Sequence, residues 1–358
     1  MSVPDLVIAG GGIVGLTSAL VAARRGLRVT VVDQPRAGSA SRASAGLLAP
    51  SIGESAPAVR DAFVAAREFY PAFLDQLLAR TEIAVPLDRD GVIDLASTTE
   101  ELDALAAKAP STAERLDQRS LATLEPALAD HAGGLLHPHD GAVDNVTLMG
   151  ALDVAVARQS RIARINDEVA SFDGRGNLPG FRSRGGTRYA GKRLLVANGA
   201  WAGTLPGLPR PLPVRPVRGQ LIRLEGRPVR RIIHVPGGYL VPRGNSLVVG
   251  ATSEDVGLDT SVTPRGLKDL RALATRTIPV LAHAPMLEHW AGLRPMAADG
   301  LPILGNDPQV PALCYACGFS RNGILLAPWA AEQLLPVLLG GELTAAAAPF
   351  SVARFTAT

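Results

Sequence analysis

Leu6-Val7-Ile8-Ala9-Gly10-Gly11-Gly12-Ile13-Val14-Gly15 is the stretch that decides the fold: an apolar run passes straight into glycines and then into an alanine-rich helical segment. This is the G-x-G-x-x-G spacing of a turn between a buried strand and a helix, where backbone meets a dinucleotide pyrophosphate. Gly10 permits the tight turn, Gly12 lets the backbone approach the phosphates, and Gly15 lets the helix pack closely on the strand. The helix start at Ile13 and Val14 offers unpaired N–H groups to the negative charge. Helical spacing at Ile13, Leu16, Leu20 and Ala23 continues to Gly26, a natural terminator, and residues 27–32 then alternate like a second strand. Asp33, followed by Gln34, comes about twenty residues beyond the glycines, where the fold places an acid for ribose hydroxyls. The hexad alone is shared with ordinary glycine-rich turns and does not separate a nicotinamide from a flavin. The order strand, turn, helix, strand and acid is what marks a nucleotide site.

The chain has 358 residues, a formal net charge of +3 and an isoelectric point near 9.1. That length suits two domains, and the element types change along the chain. Its arginines are scattered singly or in pairs, such as Arg24 with Arg25 and Arg230 with Arg231, with no basic block, which argues against nucleic acid as a partner. Residues 1–9 lack a signal-peptide pattern and no apolar run reaches the length of a membrane span, so the cytoplasm is the expected compartment. Cys314 and Cys317 have C-x-x-C spacing, but they lie in an apolar, strand-like run and read as buried thiols rather than a redox pair. Asn145-Val146-Thr147 matches a glycosylation acceptor by chance. His137 and His139 read as a solvated loop, His234 and His289 as lone structural residues, and no metal site is expected.

Beyond Asp33, residues 37–50 form a loop of small residues able to lie against a flat ring. Helical patterns cover 57–80, with a break near Pro71, and 99–105, with a strand-like segment over 91–96 between them. Residues 133–143 read as a hairpin turning at Asp140-Gly141, followed by a helix from an Asp144 or Asn145 cap to about Gln159. Residues 194–197 read as a buried strand ending in Asn198-Gly199-Ala200-Trp201. Residues 220–224, 239–241 and 247–251 read as antiparallel strands, with a hairpin over 243–246. Turn and helix signals return from Gly292 through Asn322 into a helix over about 324–339, and the C-terminal alanine run reads as a frayed tail.

Three further segments separate a flavin from a nicotinamide: SRASAGLL over 41–48, WAGLRP over 290–295 with DGLP over 299–302, and GFSRNGILLAP over 318–328. With the glycine turn, and in this order, they resemble the D-amino-acid oxidase superfamily and, within it, the glycine oxidases, over nearly the whole chain. The resemblance implies an α/β architecture (α+β overall): an interrupted Rossmann-type domain binding FAD without a covalent link, and a mostly antiparallel substrate domain. It puts the FAD-binding domain at residues 1–82, 144–211 and 291–358 and the substrate domain at 83–143 and 212–290. By the same resemblance Gly10, Gly12 and Gly15 serve the pyrophosphate, Asp33 the AMP ribose and Val169 the adenine. Ser41, Ala45, Gly46 and Leu47 form the flavin-proximal loop, and Arg321, Asn322, Gly323, Ile324 and Leu325 the turn and helix start beside the flavin pyrimidine. Ile13, Val14, Gln34, Arg42, Asn198, Gly199, Trp201 and Arg294 complete the expected cofactor contacts.

An amino-acid carboxylate requires a fixed counter-charge, and the planar fork of arginine matches it bidentately. The resemblance assigns this role to Arg294, with the Tyr239 hydroxyl on the same carboxylate and Arg321 beside them. It implies hydride transfer from the substrate α-carbon to the flavin, then hydrolysis of the imine to a 2-oxo acid and ammonia, with O2 as acceptor giving hydrogen peroxide. Similar glycine oxidases carry a histidine two residues before the pocket tyrosine and a methionine after the Gly-Ala-Thr strand. Here these positions are Gly237 and Ser253, so the pocket is expected to admit larger D-amino acids or N-alkyl glycines. Two alternatives stay open: an oxidase or dehydrogenase of a secondary amine or 2-hydroxy acid, and a flavin-binding subunit without turnover of its own. Self-association into a homo-oligomer is also left open.

Overall fold

Leu6–Ala9 is fully buried, as a central parallel strand with both faces covered must be, and it pairs in parallel with Val29–Val32 and Arg193–Val196. The computed structural model describes residues 3–53 and 55–355. The sheet built on this strand has six members in the order Ile303–Asn306, Leu313–Cys317, Arg193–Val196, Leu6–Ala9, Val29–Val32, Ile162–Ile165, with Ile303–Asn306 alone antiparallel to its neighbour. One face packs against the helices Ile13–Arg24, Pro57–Thr81, Asn145–Ala157 and Gly323–Leu338. The other face packs against a three-stranded antiparallel sheet, Val169–Asp173, Gly180–Ser183 and Arg188–Ala190.

A second, eight-stranded sheet runs in the order Met286–Ala297, Val214–Glu225, Ser246–Gly250, Gly238–Arg243, Ile232–Val235, Val92–Ala96, Gly133–His137, Glu114–Asp117. It is antiparallel except where Ile232–Val235 meets Val92–Ala96. Its outer face is closed by the helix Pro264–Thr277, whose Leu270, Leu273 and Ala274 pack on Ile222, Leu240 and Val249. Its inner face, with Val92, Leu221, Ile232 and Val241, packs on Ala45 and Leu47 of the small-residue segment. The expected α/β architecture with a mostly antiparallel second sheet is therefore present, and Gly26, at φ 91°, does end the first helix.

Several local expectations are corrected. The helix Pro57–Thr81 runs unbroken through Pro71 because Phe63, Ala66, Tyr70, Leu74 and Leu77 form one buried stripe, and half-exposed Pro71 stands outside it. Residues 133–143 are not a hairpin: Gly133–His137 joins the eight-stranded sheet, whereas Gly141–Val143 pairs with Leu47–Leu48 and Leu87–Asp88. The chain is diverted between them by Asp140, which is fully buried, paired with Arg67 at 2.6 Å and hydrogen-bonded by the Ser51 amide at 3.1 Å. His137 is consequently a buried strand residue, while His139 is exposed.

The loop over 37–50 contains a helical turn, Ala40–Ala43, and the strand Leu47–Leu48. The segment after Gly292 begins inside a strand, Met286–Ala297, because Gly292 and Pro295 lie opposite Gly219 and Pro216 in a twelve-residue strand pair. The alanine run forms a 3-10 turn, Ala345–Phe350, pinned by fully buried Phe350 between Phe63 and Trp329. The helix Pro264–Thr277, capped by Thr263, and the strands between 162 and 190 were not anticipated.

Cys314 and Cys317 are free and buried, as expected. Three residues apart on one strand, they face opposite sides of the sheet, and desolvation pushes their thiols up to about 11 and about 12. The Arg67 to Asp140 pair offers a test of the fold. Arg67→Ala strands a carboxylate that burial already holds above its ordinary pKa. It is expected to cost about 3–5 kcal/mol, read as a lowered urea midpoint at constant m-value.

Candidate active site

A cavity of about 770 Å³ extends from the glycine turn to the inner face of the eight-stranded sheet. Gly10, at φ 108°, has room only for hydrogen, since a Cβ there would stand 2.5 Å from the Ala197 carbonyl oxygen. Gly12, Ile13 and Val14 line the cavity beside it, and the Ile13 amide donates to Ser41 Oγ at 3.0 Å, tying the helix start to the 41–47 segment. Gly15 does not line the cavity. A Cβ there would meet the Gly10 carbonyl oxygen at 2.0 Å, so its task is the close packing of helix on turn.

Asp33 and Gln34 follow along the wall with Val169, and Asn198, Gly199 and Trp201 stand nearby. Sequence reading missed two arginines here. Arg164 lies 3.6 Å from Asp33, and Arg36 stacks 4.9 Å above the Trp201 ring while pairing with Glu168 at 3.1 Å. Ser41, Arg42, Ala45, Gly46 and Leu47 form the middle of the wall, with the Arg42 guanidinium turned to Asp153. Asn322, Gly323 and Ile324 bring the N-terminus of Gly323–Leu338 to the cavity, with no acid in its first turn. Leu325 does not reach it, being buried in the helical core.

The fit to a dinucleotide with a flat ring can be read from this wall. Two helix N-termini point into one cavity, and glycines remove the Cβ atoms where backbone must come close. The Ser44 hydroxyl and the Asn198 Oδ1 are buried in it without protein partners, as polar groups awaiting a ligand would be.

At the far end the sheet presents Arg294 and Tyr239, each accommodated by a glycine inside a neighbouring strand. A Cβ at Gly219 would stand 2.5 Å from Arg294 Nη2, and one at Gly250 would stand 2.9 Å from the Tyr239 hydroxyl. Arg294 donates to the Thr252 carbonyl at 2.9 Å, and among the described residues no carboxylate pairs with it. The contrast with Arg218 on the adjacent strand is direct: that guanidinium is matched by Glu254 at 2.6 Å and Asp259 at 2.5 Å.

Desolvation lowers the Arg294 pKa from its ordinary value, with like-charge repulsion from Arg321 adding to the effect, and burial raises that of Tyr239. Exposed Arg321 follows Ser320, which is held at φ 53°, a left-handed conformation rarely adopted outside glycine. Gly237 and Ser253 lie at the exposed mouth, and nothing stands within 4 Å of where a Cβ at Gly237 would be. His234 is not the lone structural residue expected, for it lines the cavity and pairs with Asp94. The signals that could have revealed the surroundings of Arg294 and Tyr239 are Gly219, inside Val214–Glu225, and Gly250, the last residue of Ser246–Gly250.

This arrangement joins a dinucleotide cradle to an unneutralised cation beside a phenol, suited to holding a carboxylate next to a redox ring. Among known proteins, the glycine oxidase of Geobacillus kaustophilus is 34% identical over 98% of this chain and 97% of its own length. A crystal structure of glycine oxidase from Geobacillus kaustophilus superimposes with a TM-score of 0.91, at 30% identity, over 99% of both chains. The bifunctional protein ThiO/ThiG of Synechocystis is 34% identical over 99% of this chain, which spans 54% of that longer protein. The family model described as DAO, FAD dependent oxidoreductase, matches residues 5–335, so the chain belongs to this FAD-dependent oxidoreductase family.

Proposed function

We propose that this protein oxidatively deaminates a small amino acid, glycine, a D-amino acid or an N-alkyl glycine, to a 2-oxo acid and ammonia or amine. The observation that carries the reading is Arg294, a half-buried cation without a carboxylate partner among the described residues, facing the cavity beside Tyr239. FAD, bound without a covalent link, supplies the two-electron acceptor for the α C–H of the substrate.

In this reading Gly10, Gly12 and the Val14 amide hold the pyrophosphate, while the Ile13 amide is taken by Ser41 Oγ. Asp33 and Gln34 serve the ribose and Val169 the adenine. Ala45 to Leu47 and the helix start at Gly323 hold the ring, where the positive helix end favours negative charge. Arg294 takes the substrate carboxylate bidentately, and the Tyr239 hydroxyl donates to it, remaining protonated because burial raises its pKa. Arg321 adds a second positive charge at the mouth. These contacts orient the α-carbon, and orientation supplies the rate without a dedicated base if the amine binds uncharged. Water would then hydrolyse the released imine, with O2 as the expected final electron acceptor giving hydrogen peroxide.

The reading carries the domain division 1–82, 144–211 and 291–358 for FAD and 83–143 and 212–290 for substrate, with the strand Met286–Ala297 running across the last boundary. No helix among the described residues is long and apolar enough to cross a membrane. Two free buried thiols and no disulfide among the described residues suit the reducing cytoplasm.

Arg294→Ala is expected to lose roughly 1.5–3 kcal/mol of charge-assisted binding. That is a fall in kcat/KM of about tenfold to more than a hundredfold, with flavin content unchanged. Normal kcat/KM in that variant would remove Arg294 as the anchor. Because Gly237 and Ser253 leave the mouth open, larger D-amino acids or N-alkyl glycines are expected to be turned over at least as well as glycine. Peroxide release across such a panel checks this, and glycine clearly ahead of all others would overturn it. Anaerobic bleaching of the flavin by an amino acid tests turnover itself, since a subunit that only carries flavin would show none.

A further inference from the structure

His234 lies on Ile232–Val235 directly opposite Tyr239, and in parallel register with Asp94 of Val92–Ala96. Residues paired in this way share one face of a sheet. Here it is the inner face, and His234 and Tyr239 both line the cavity. His234 Nδ1 stands 2.8 Å from Asp94 Oδ1, and the side chains are 32% and 12% exposed respectively, so the carboxylate sits behind the ring. With Nδ1 engaged by Asp94, Nε2 is the ring nitrogen left for a ligand.

The Tyr239 ring leans over Gly250, toward the strands that carry Arg294 and away from His234. Across the sheet the order is therefore Arg294, Tyr239, His234, Asp94. A substrate held by its carboxylate at the first two would meet the third if its substituent ran back along the Tyr239 ring, and Gly237 places no side chain in the way.

We propose that His234, positioned by Asp94, is a specificity residue that binds a hydroxyl or carboxamide at the far end of the substrate's substituent. The neutral imidazole accepts a hydrogen bond at Nε2 and the protonated ring donates one. A hydroxyl or a carboxamide serves either state, whereas an alkyl group of the same shape serves neither. The proposal rests on the reading of Arg294 and Tyr239 as the carboxylate anchor.

The test uses the flavin-loaded enzyme and two shape-matched substrate pairs: D-asparagine against D-leucine, and N-(2-hydroxyethyl)glycine against N-propylglycine. The polar member of at least one pair is expected to show a kcat/KM about tenfold higher, carried mainly by KM. That ratio is expected to collapse in His234→Leu, to be largely kept in His234→Gln, which still hydrogen-bonds, and to fall in Asp94→Asn. A wild-type enzyme that prefers the alkyl member of both pairs, or treats the members alike, overturns the proposal without any variant, as does a ratio that survives His234→Leu. If no amino acid bleaches the flavin anaerobically, the anchor reading has failed. If glycine bleaches it and the ratio is absent, the role of His234 alone has failed.

Discussion

The placement of the Arg294 charge is the constraint on which the site depends. Moving a guanidinium out of water is costly unless an opposite charge meets it, and the neighbouring Arg218 shows how the same sheet meets that cost with Glu254 and Asp259. At Arg294 the near partners are the neutral Thr252 and Arg218 carbonyls and the Tyr239 side chain, with no carboxylate among the described residues, so the missing negative charge is left for a ligand to bring. Space for the arrangement comes from two absent Cβ atoms, at Gly219 under the guanidinium and at Gly250 under the phenol ring. The proposed carboxylate site thus depends on what the strands omit as much as on what they present.

The cradle and the anchor are held in one frame by a short segment. Ser41 accepts from the Ile13 amide, and the Ala43 carbonyl accepts from Trp290 Nε1 at 2.8 Å, while the Leu293 amide donates to the Gly38 carbonyl at 2.8 Å. Residues 38–43 therefore bind the helix start of the glycine turn on one side and the strand bearing Arg294 on the other. Gly292 has no side chain where the Ala43 methyl group approaches. The glycine turn and the strand bearing Arg294 are consequently tied together by one backbone–backbone hydrogen bond and by two that join a backbone group to the short Ser41 or the rigid Trp290 side chain, which suits a reaction that depends on orientation.

Much of the cradle was legible because its requirements are local. The turn needs glycine at 10 for a positive φ, at 12 for close approach and at 15 for helix packing, all within one hexad, and Asp33 follows at the end of the next strand. The helix start at Asn322 to Ile324 was legible for the same reason. The pairing of His234 with Asp94, 140 residues earlier, was not. Nor was the burial of His137, whose neighbours, the turn-forming Pro138 and the polar His139 and Asp140, suggest a solvated turn until Arg67 and Ser51 close over Asp140. Pro71 misled in the other direction, since its local preference against helix was outweighed by the buried stripe from Phe63 to Leu77.

The sequence by itself determined that a strand, glycine turn and helix would cradle a dinucleotide, that an antiparallel sheet would stand in the second half, and that Arg294 and Tyr239 were the side chains to watch. The first two rest on periodicities and motifs confined to a few consecutive residues, and the choice of Arg294 and Tyr239 on the resemblance to a known family. Only the tertiary structure decided that Arg294 lacks the carboxylates given to Arg218, that Gly219 and Gly250 make room for the anchors, and that His234 faces the same cavity. Each of these depends on which strands become neighbours, and strand neighbours are chosen by packing across the whole chain.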